Sequence, residues 1–276
     1  MKTPAGPSFT RREALGHLAA LLAAGLWPGA LRAAVMGGRA EEFTFVVAND
    51  FHHFEAACDP WFTALFHQIA AHENVEFCLG LGDLAHKGAP ASIAAVARLA
   101  EEAEVRFLAT PGNHDNDLEE STAIFDRTLP GQINYHFEHR GWQFVVIDST
   151  EGKKWGKTNV QPATLAWLDA EIPKLDRAKP LVLATHFPLA SATPLCPLNA
   201  EDVLARFTNH NLRLVLGGHH HGRTEVMHGE YALVTNACCS RVAANHDGTK
   251  TKGYWLCRTQ ADGKVRRDFV EFAGPA

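Results

Sequence analysis

Short apolar runs alternate along the chain with segments whose apolar positions recur every three or four residues. The runs Phe43–Ala48 (FTFVVA), Phe77–Leu81, Arg106–Ala109, Leu181–Ala184 and Leu212–Leu216 read as strands. Tyr135–Glu138 and Trp142–Asp148 (WQFVVID) read as paired strands around the turn His139-Arg140-Gly141. Helical spacing covers Trp61–His72, Pro90–Ala103, Glu119–Thr128, Pro162–Leu175 and Ala200–Asn209, with Pro90 in a first turn, where its missing N–H costs nothing. Beyond Leu216 the helical pattern stops, and Thr224–His228, Tyr231–Thr235, Tyr254–Arg258 and Val265–Val270 are strand-like. Strands that first alternate with helices and then follow one another predict an α/β core with mixed sheets. No repeat and no interior Pro/Gly/Ser linker divides the chain, so residues 35–276 are expected to form a single domain.

Composition narrows the class. The chain has 276 residues, 46% of them hydrophobic and 21% charged, an ordinary globular balance that excludes fibrous or mostly disordered chains. The first 34 residues stand apart: polar residues, then Thr10-Arg11-Arg12, an apolar stretch from Leu18 to Trp27, a Pro28-Gly29 break and Ala33-Ala34. This is the layout of an export signal, and the arginine pair resembles the twin-arginine type. The competing reading, an uncleaved membrane anchor, has an apolar run short of the roughly 18 to 20 residues a span needs. The expected location is therefore periplasmic or extracellular, reached through the twin-arginine export machinery. Without that segment the formal charge goes from −5 to −8, which argues against stable nucleic-acid binding. None of the six cysteines forms a C-x-x-C pair, so a zinc ribbon or thioredoxin motif is excluded.

The 16 histidines change the picture most, because of where they fall. The first strand is followed by Asn49-Asp50-Phe51-His52, the second by Gly82-Asp83, the third by Gly112-Asn113-His114-Asp115. Thr185-His186 and Gly217-Gly218-His219-His220-His221 follow two later strands. Strand carboxyl ends in an open α/β sheet line one crevice, so these groups can converge. Carboxylate, amide oxygen and imidazole are ligands for borderline divalent metals. Seven or eight of them are too many for one tetrahedral ion and suit two ions sharing a carboxylate.

The ordered set D-x-H, G-D, G-N-H-D, an isolated His and G-H-x-H resembles the calcineurin-like metallophosphoesterase family from Asp50 to His221. The resemblance implies a four-layer sandwich of two mixed β-sheets flanked by helices, with the dimetal site at the strand carboxyl ends. It implies one ion (Mn, Fe or Zn) on Asp50, His52, Asp83 and His221, and a second on Asp83, Asn113, His186 and His219. His114 matches the family's non-ligand histidine, which contacts the phosphate and protonates the leaving oxygen, and Asp115 is expected to orient it. The implied activity is hydrolysis of a small phosphate ester, diester or monoester, by metal-activated hydroxide. The alternative is a metal-binding recognition protein that has lost catalysis. Purple acid phosphatases carry Tyr three residues after the shared Asp; here His86 stands there, as a further ligand, a substrate contact or a surface residue.

Other features are lookalikes or neighbours. Gly152–Thr158 (GKKWGKT) lacks the leading glycine of a phosphate loop, since position 151 is Glu. Its Lys153, Lys154 and Lys157 either attract an anionic substrate or lie on a solvated surface. His220, Arg223 and Arg241 are candidate substrate contacts, arginine because its fork matches phosphate. His53, Asn236 and His246 are weaker candidates, and the irregular loops 151–161 and 188–199 are long enough to suggest a role near a site.

Overall fold

The computed structural model describes residues 40–119 and 121–275. The export signal expected over residues 1–34 lies outside them. Eleven strands and five α-helices follow one another within one compact unit that starts at Ala40. The strands are β1 Thr44–Ala48, β2 Val75–Leu81, β3 Phe107–Thr110, β4 Tyr135–His139, β5 Trp142–Ile147 and β6 Leu181–Thr185. They continue with β7 Leu212–Leu216, β8 Glu225–His228, β9 Tyr231–Val234, β10 Lys252–Thr259 and β11 Val265–Phe272. The helices are α1 Asp59–Ala70, α2 Pro90–Glu102, α3 Ala123–Thr128, α4 Pro162–Glu171 and α5 Ala200–Ala205.

Two sheets form, in the orders β11-β10-β1-β2-β3 and β4-β5-β6-β7-β9-β8. In the first sheet β1, β2 and β3 run parallel while β10 and β11 add on antiparallel; in the second, β5, β6, β7 and β9 run parallel between antiparallel edge strands β4 and β8, so both sheets are mixed, as the strand pattern predicts. Each central strand splits its side chains between two cores. Phe45, Val47, Leu79 and Leu81 face Phe144, Val146, Val182, Leu214 and Val234 across the gap between the sheets. Their strand neighbours Val46, Ala48 and Cys78 point the other way, into a core with Phe62, Leu65, Phe66 and Ile69 of α1 and Ile93 and Val96 of α2. Val145, Leu183 and Val215 pack likewise on Leu168 of α4 and Val203 of α5. The side-chain period of two thus reaches apolar surroundings on both faces, which is why the runs lack polar alternation. The result is the four-layer sandwich of two mixed sheets between helices.

Three helices are shorter than their periodicity suggests: α4 gives way to a tighter 3-10 turn over Ile172–Lys174, and α3 and α5 are each cut to six residues. Before α3 the Asp117 carboxylate accepts N–H bonds from Glu119 and Ser121 at 2.9 and 3.0 Å, and this local turn delays the helix to Ala123. After α5, the N–H groups of Arg206, Phe207 and Thr208 bond three residues back, to Val203, Leu204 and Ala205, tightening the end of the helix.

The inter-sheet core sets the spacing of the sheets. Phe144 meets both Phe45 and Phe77 edge-on at 5.4 Å. Truncation by Phe144→Ala is expected to cost about 3–5 kcal/mol of unfolding free energy. Denaturant unfolding with the m-value monitored checks this; a loss below about 1 kcal/mol means the sheets do not depend on that contact.

Candidate metal centre

All five strand ends named by the sequence open on one side of the sandwich. The segments leaving β1 and β2 stay zipped together beyond the strands: Asp50 N donates to Gly82 O, His52 N to Asp83 O and His53 N to Leu84 O. This ladder places Asp50, His52 and Asp83 side by side. Gly218 N donates to His186 O, joining the ends of β6 and β7, and His219 N donates to Asp50 Oδ2 at 2.9 Å, joining the two sheets.

Five of these residues adopt left-handed backbone angles: Asp50 (φ 54°), His52 (49°), Asp83 (52°), His219 (60°) and His221 (46°). Such a conformation costs an L-residue on the order of 1–2 kcal/mol, though Asp and His tolerate it better than most. Strain gathered in one place marks a site that its surroundings over-determine. Adjacent glycines make room. A Cβ on Gly82 would lie 2.6 Å from His186 Nδ1, and one on Gly112 would collide with Asp83 Oδ1.

Ligand-type atoms of Asp50, His52, Asp83 and His221 lie within 4.8 Å of one another, and those of Asp83, His186 and His219 form a second such group. Asp83 belongs to both. His221 Nε2 is 3.0 Å from Asp50 Oδ1 and 3.2 Å from His52 Nε2. His52 Nε2 and His186 Nε2 are each 3.5 Å from an Asp83 oxygen, and Asn113 Oδ1 is 3.2 Å from His186 Nε2. Three imidazoles are held by backbone carbonyls: His186 Nδ1 by Leu81, His221 Nδ1 by Ala244 and His219 Nε2 by Trp155, at 2.7–2.8 Å. A carbonyl only accepts, so each of these nitrogens carries a proton, and the ring's other nitrogen is left to face the cluster. Metal-ligating histidines are oriented in this way. Asp50 Oδ1 is buried without an aligned hydrogen-bond donor. Bare nitrogens and carboxylate oxygens crowded together call for a cation, and their N/O character fits the borderline divalent metals expected.

The electrostatics agree. Burial alone would raise Asp50, but His221, His186 and His52 outweigh it and hold its carboxyl well below the usual range. Burial pushes His52 down to about 3, and burial with His186 beside it pushes His219 down to about 4, so both rings are neutral. His221 differs: burial works against a proton there as well, yet the Asp50 carboxylate overrides it and pushes the ring up to about 11, so its Nε2 carries a proton that a bound cation would have to displace.

His114 stands at the edge of the cluster. Its backbone N–H donates to Asp83 Oδ1 at 2.8 Å, and its Nδ1 donates to the His86 carbonyl at 2.7 Å. Asp115 therefore does not orient that ring as expected. Its oxygens accept the backbone N–H groups of Leu84, Ala85 and Gly112 at 3.1, 2.7 and 2.9 Å, fixing the turns that carry Asp83 and His114. His86 is not a remote surface residue: its ring stacks on His114 at 5.5 Å, and its Nδ1 is 3.5 Å from His52 Nδ1.

Three expected substrate contacts are elsewhere. Arg223 packs its guanidinium 4.3 Å from the Phe269 ring centroid, a cation–π contact. Arg241 is exposed and donates to the Ala57 carbonyl. His220 turns toward Gly222 and Asp247. Meanwhile a cleft of about 430 Å³ above Asp83 and His114 is walled by Trp155, Leu195 and His246. His246, a weak candidate from sequence, stacks on His221 at 4.5 Å. Trp155 sits in the basic loop between Lys154 and Lys157, where the sequence shows charge rather than a binding wall. Leu195 had no signal beyond its place in an irregular loop.

This is a four-layer sandwich with paired acceptor clusters at its strand ends, the build of a dinuclear metallophosphoesterase. The chain matches the calcineurin-like phosphoesterase family over residues 43–223 and belongs to it. A probable cyclic nucleotide phosphodiesterase of Synechococcus is 31% identical over 193 residues, covering 67% of this chain and 72% of that protein. One of Vesicomyosocius okutanii is 26% identical over 170 residues, covering 56% of this chain and 66% of the relative. At the level of fold, the chain resembles GAP50, the anchor in the inner membrane complex of Plasmodium (TM-score 0.60, 13% identity, 85% of this chain and 86% of that one). It also resembles the purple acid phosphatase of yellow lupin seeds (TM-score 0.56, 13% identity, 83% of this chain and 53% of that one).

The packing of Gly112 gives a direct check. Gly112→Ala introduces a methyl group against Asp83 with no change of backbone preference. Bound metal is expected to fall well below the wild-type stoichiometry while the far-UV circular dichroism spectrum is kept. Full metal content in this variant would mean that Asp83 is not held where the two clusters meet.

Proposed function

We propose that the protein is an exported, metal-dependent phosphodiesterase that transfers the phosphoryl group of a small diester to water. The observation that carries this reading is the pair of buried acceptor clusters sharing Asp83, with the non-ligand His114 alongside. Asp50, His52, Asp83 and His221 would hold one divalent ion, and Asp83, Asn113, His186 and His219 the other. Bound there, the ions neutralise phosphoryl charge and make water acidic enough to attack near neutral pH.

The remaining work falls to the protein. With Nδ1 fixed on the His86 carbonyl, His114 in its imidazolium form donates from Nε2 to the oxygen of the departing alcohol. Asp115 keeps that histidine in register by anchoring the backbone on both sides of the cluster. The names of the sequence relatives support a diester, with cyclic nucleotides among the candidates. The N-terminal 34 residues act as the export signal in this reading; replacing Arg11 and Arg12 by lysine should leave the protein in the cytoplasmic fraction.

The test is metal analysis of the purified protein with turnover of bis-p-nitrophenyl phosphate and p-nitrophenyl phosphate. About two ions per chain with faster turnover of the diester is expected. No stoichiometric metal after reconstitution would overturn the reading, and bound metal without turnover would favour a recognition protein.

Two variants separate the roles. Asp83→Ala should lose metal and activity together. His114→Ala should keep its metal and lose about 10²–10⁴ in kcat on an alkyl leaving group, and less on p-nitrophenolate, which needs little protonation. Equal losses on both leaving groups would exclude the acid role. Chelation should lower Tm, because the buried carboxylates then lose their counter-charge. Differential scanning calorimetry reads this, and an unchanged Tm would mean that the folded protein does not hold the ions tightly.

A further inference from the structure

The cleft over the metal centre has a second compartment. His114 lines both spaces. On one side of it lies the cavity of about 430 Å³ walled by Trp155, Leu195 and His246. On the other lies a cavity of about 320 Å³ bounded by His86, Lys87, Leu118 and Lys153. Of the exposed large apolar side chains, Trp155 (69% exposed), Leu118 (93%) and Phe54 (44%) stand around this region.

The two compartments differ in chemistry. Trp155 and Leu195 offer apolar surface, and they are placed firmly. The Trp155 carbonyl is bonded to His219. The loops carrying Trp155 and Leu195 are tied by Asn199, whose side chain bonds both N–H and C=O of Val160. Leu195 itself is held at φ 68°, a conformation a leucine adopts only under constraint. An aromatic wall of this kind suits a planar group such as a nucleobase.

The second compartment is cationic. Lys87 and Lys153 come from different loops, after β2 and after β5, and reach the same cavity. Among the described residues neither has a carboxylate partner, whereas the adjacent Lys154 is neutralised by Glu151. Lys87 Nζ is held 5.0 Å above the Phe54 ring. Two ammonium groups with no carboxylate partner among the described residues, beside an apolar site, attract an anion more strongly than they would in open solvent.

We infer that the substrate is a nucleotide phosphodiester carrying a second anionic group: one arm stacks in the compartment of Trp155, and the arm with the extra charge sits by Lys87 and Lys153. This rests on the phosphodiesterase reading and adds the class of diester. The scissile phosphate then lies between the arms, beside His114.

The metal-loaded protein is assayed with bis-p-nitrophenyl phosphate, the dithymidine diester TpT and its terminally phosphorylated form pTpT. Metal-dependent turnover of the first tests the underlying reading; without it, that reading and this inference fall together. With it, kcat/KM for pTpT should exceed that for TpT about tenfold, the value of one charge-assisted contact. The preference should fall toward one in the joint Lys87→Ala, Lys153→Ala variant and persist in the Lys87→Arg, Lys153→Arg variant. The same ratio should appear in Kd with the slowly hydrolysed phosphorothioate analogues, measured by titration calorimetry. Equal wild-type rates, or a preference that survives the joint alanine variant, would overturn the cationic arm. Trp155→Ala should raise KM for TpT with a smaller change in kcat, and Trp155→Phe should restore most of it; a KM unmoved by Trp155→Ala would overturn the aromatic arm.

Discussion

Asp83 is the constraint around which the rest is arranged. Its carboxylate is buried, belongs to both acceptor clusters, and sits on a backbone in the left-handed conformation. Each property is unfavourable alone: burial penalises the charge, and the backbone angle strains the chain. They hold because His186 and His52 stabilise the anion, the His114 N–H donates to it, and Asp115 locks the two turns that flank it. The glycines at 82 and 112 follow from the same requirement, since a side chain at either would meet His186 or Asp83 itself. Local chemistry that would destabilise an ordinary strand end is thus a specification for cations.

The sandwich answers the problem of bringing distant groups to one place. β1, β2 and β3 deliver Asp50, His52, Asp83, Asn113 and His114 from one sheet, while β6 and β7 deliver His186, His219 and His221 from the other. The donors face each other only if the sheets keep a fixed separation, and that separation is set by large rings between them, Phe45, Phe77 and Phe144 among these. Aromatic side chains bury much area and change shape little. The cost of gathering like acceptors at the edge is offset by apolar burial in the interior, so the metal centre and the core are two halves of one arrangement.

Much of this was legible in the sequence, for a physical reason. The strands are buried on both faces, so they appear as unbroken apolar runs, and the chemistry-bearing residues follow directly after them. Position in sequence therefore equals position at the strand end for Asp50, Asp83, His186 and His219. What was not legible depends on where loops go. Asp115 looked like the partner of its neighbour His114, but its carboxylate is claimed by N–H groups some thirty positions back in the chain. Arg223 and Arg241 offer forks that match phosphate, yet Phe269 and the Ala57 carbonyl capture them. Trp155 and Leu195 enter the cleft because Asn199 ties their loops together, a long-range bond that no local pattern announces. Helix ends failed for a subtler cause: the side chain of Asp117 competes with the helix for backbone N–H groups, while periodicity registers only apolar spacing.

Trp155 ties the wall of the cleft to the acceptor cluster beneath it. Its backbone carbonyl fixes the tautomer of His219, and its indole forms a wall above the same centre. A movement of this loop would also release the His219 ring from that bond. The side chains of Trp155, Leu195, Lys87 and Lys153 line the cleft, and replacing them leaves that main-chain bond in place. The exposed indole projects from a loop bound at its carbonyl, so its side chain can change while the backbone beneath it keeps its contact with the cluster.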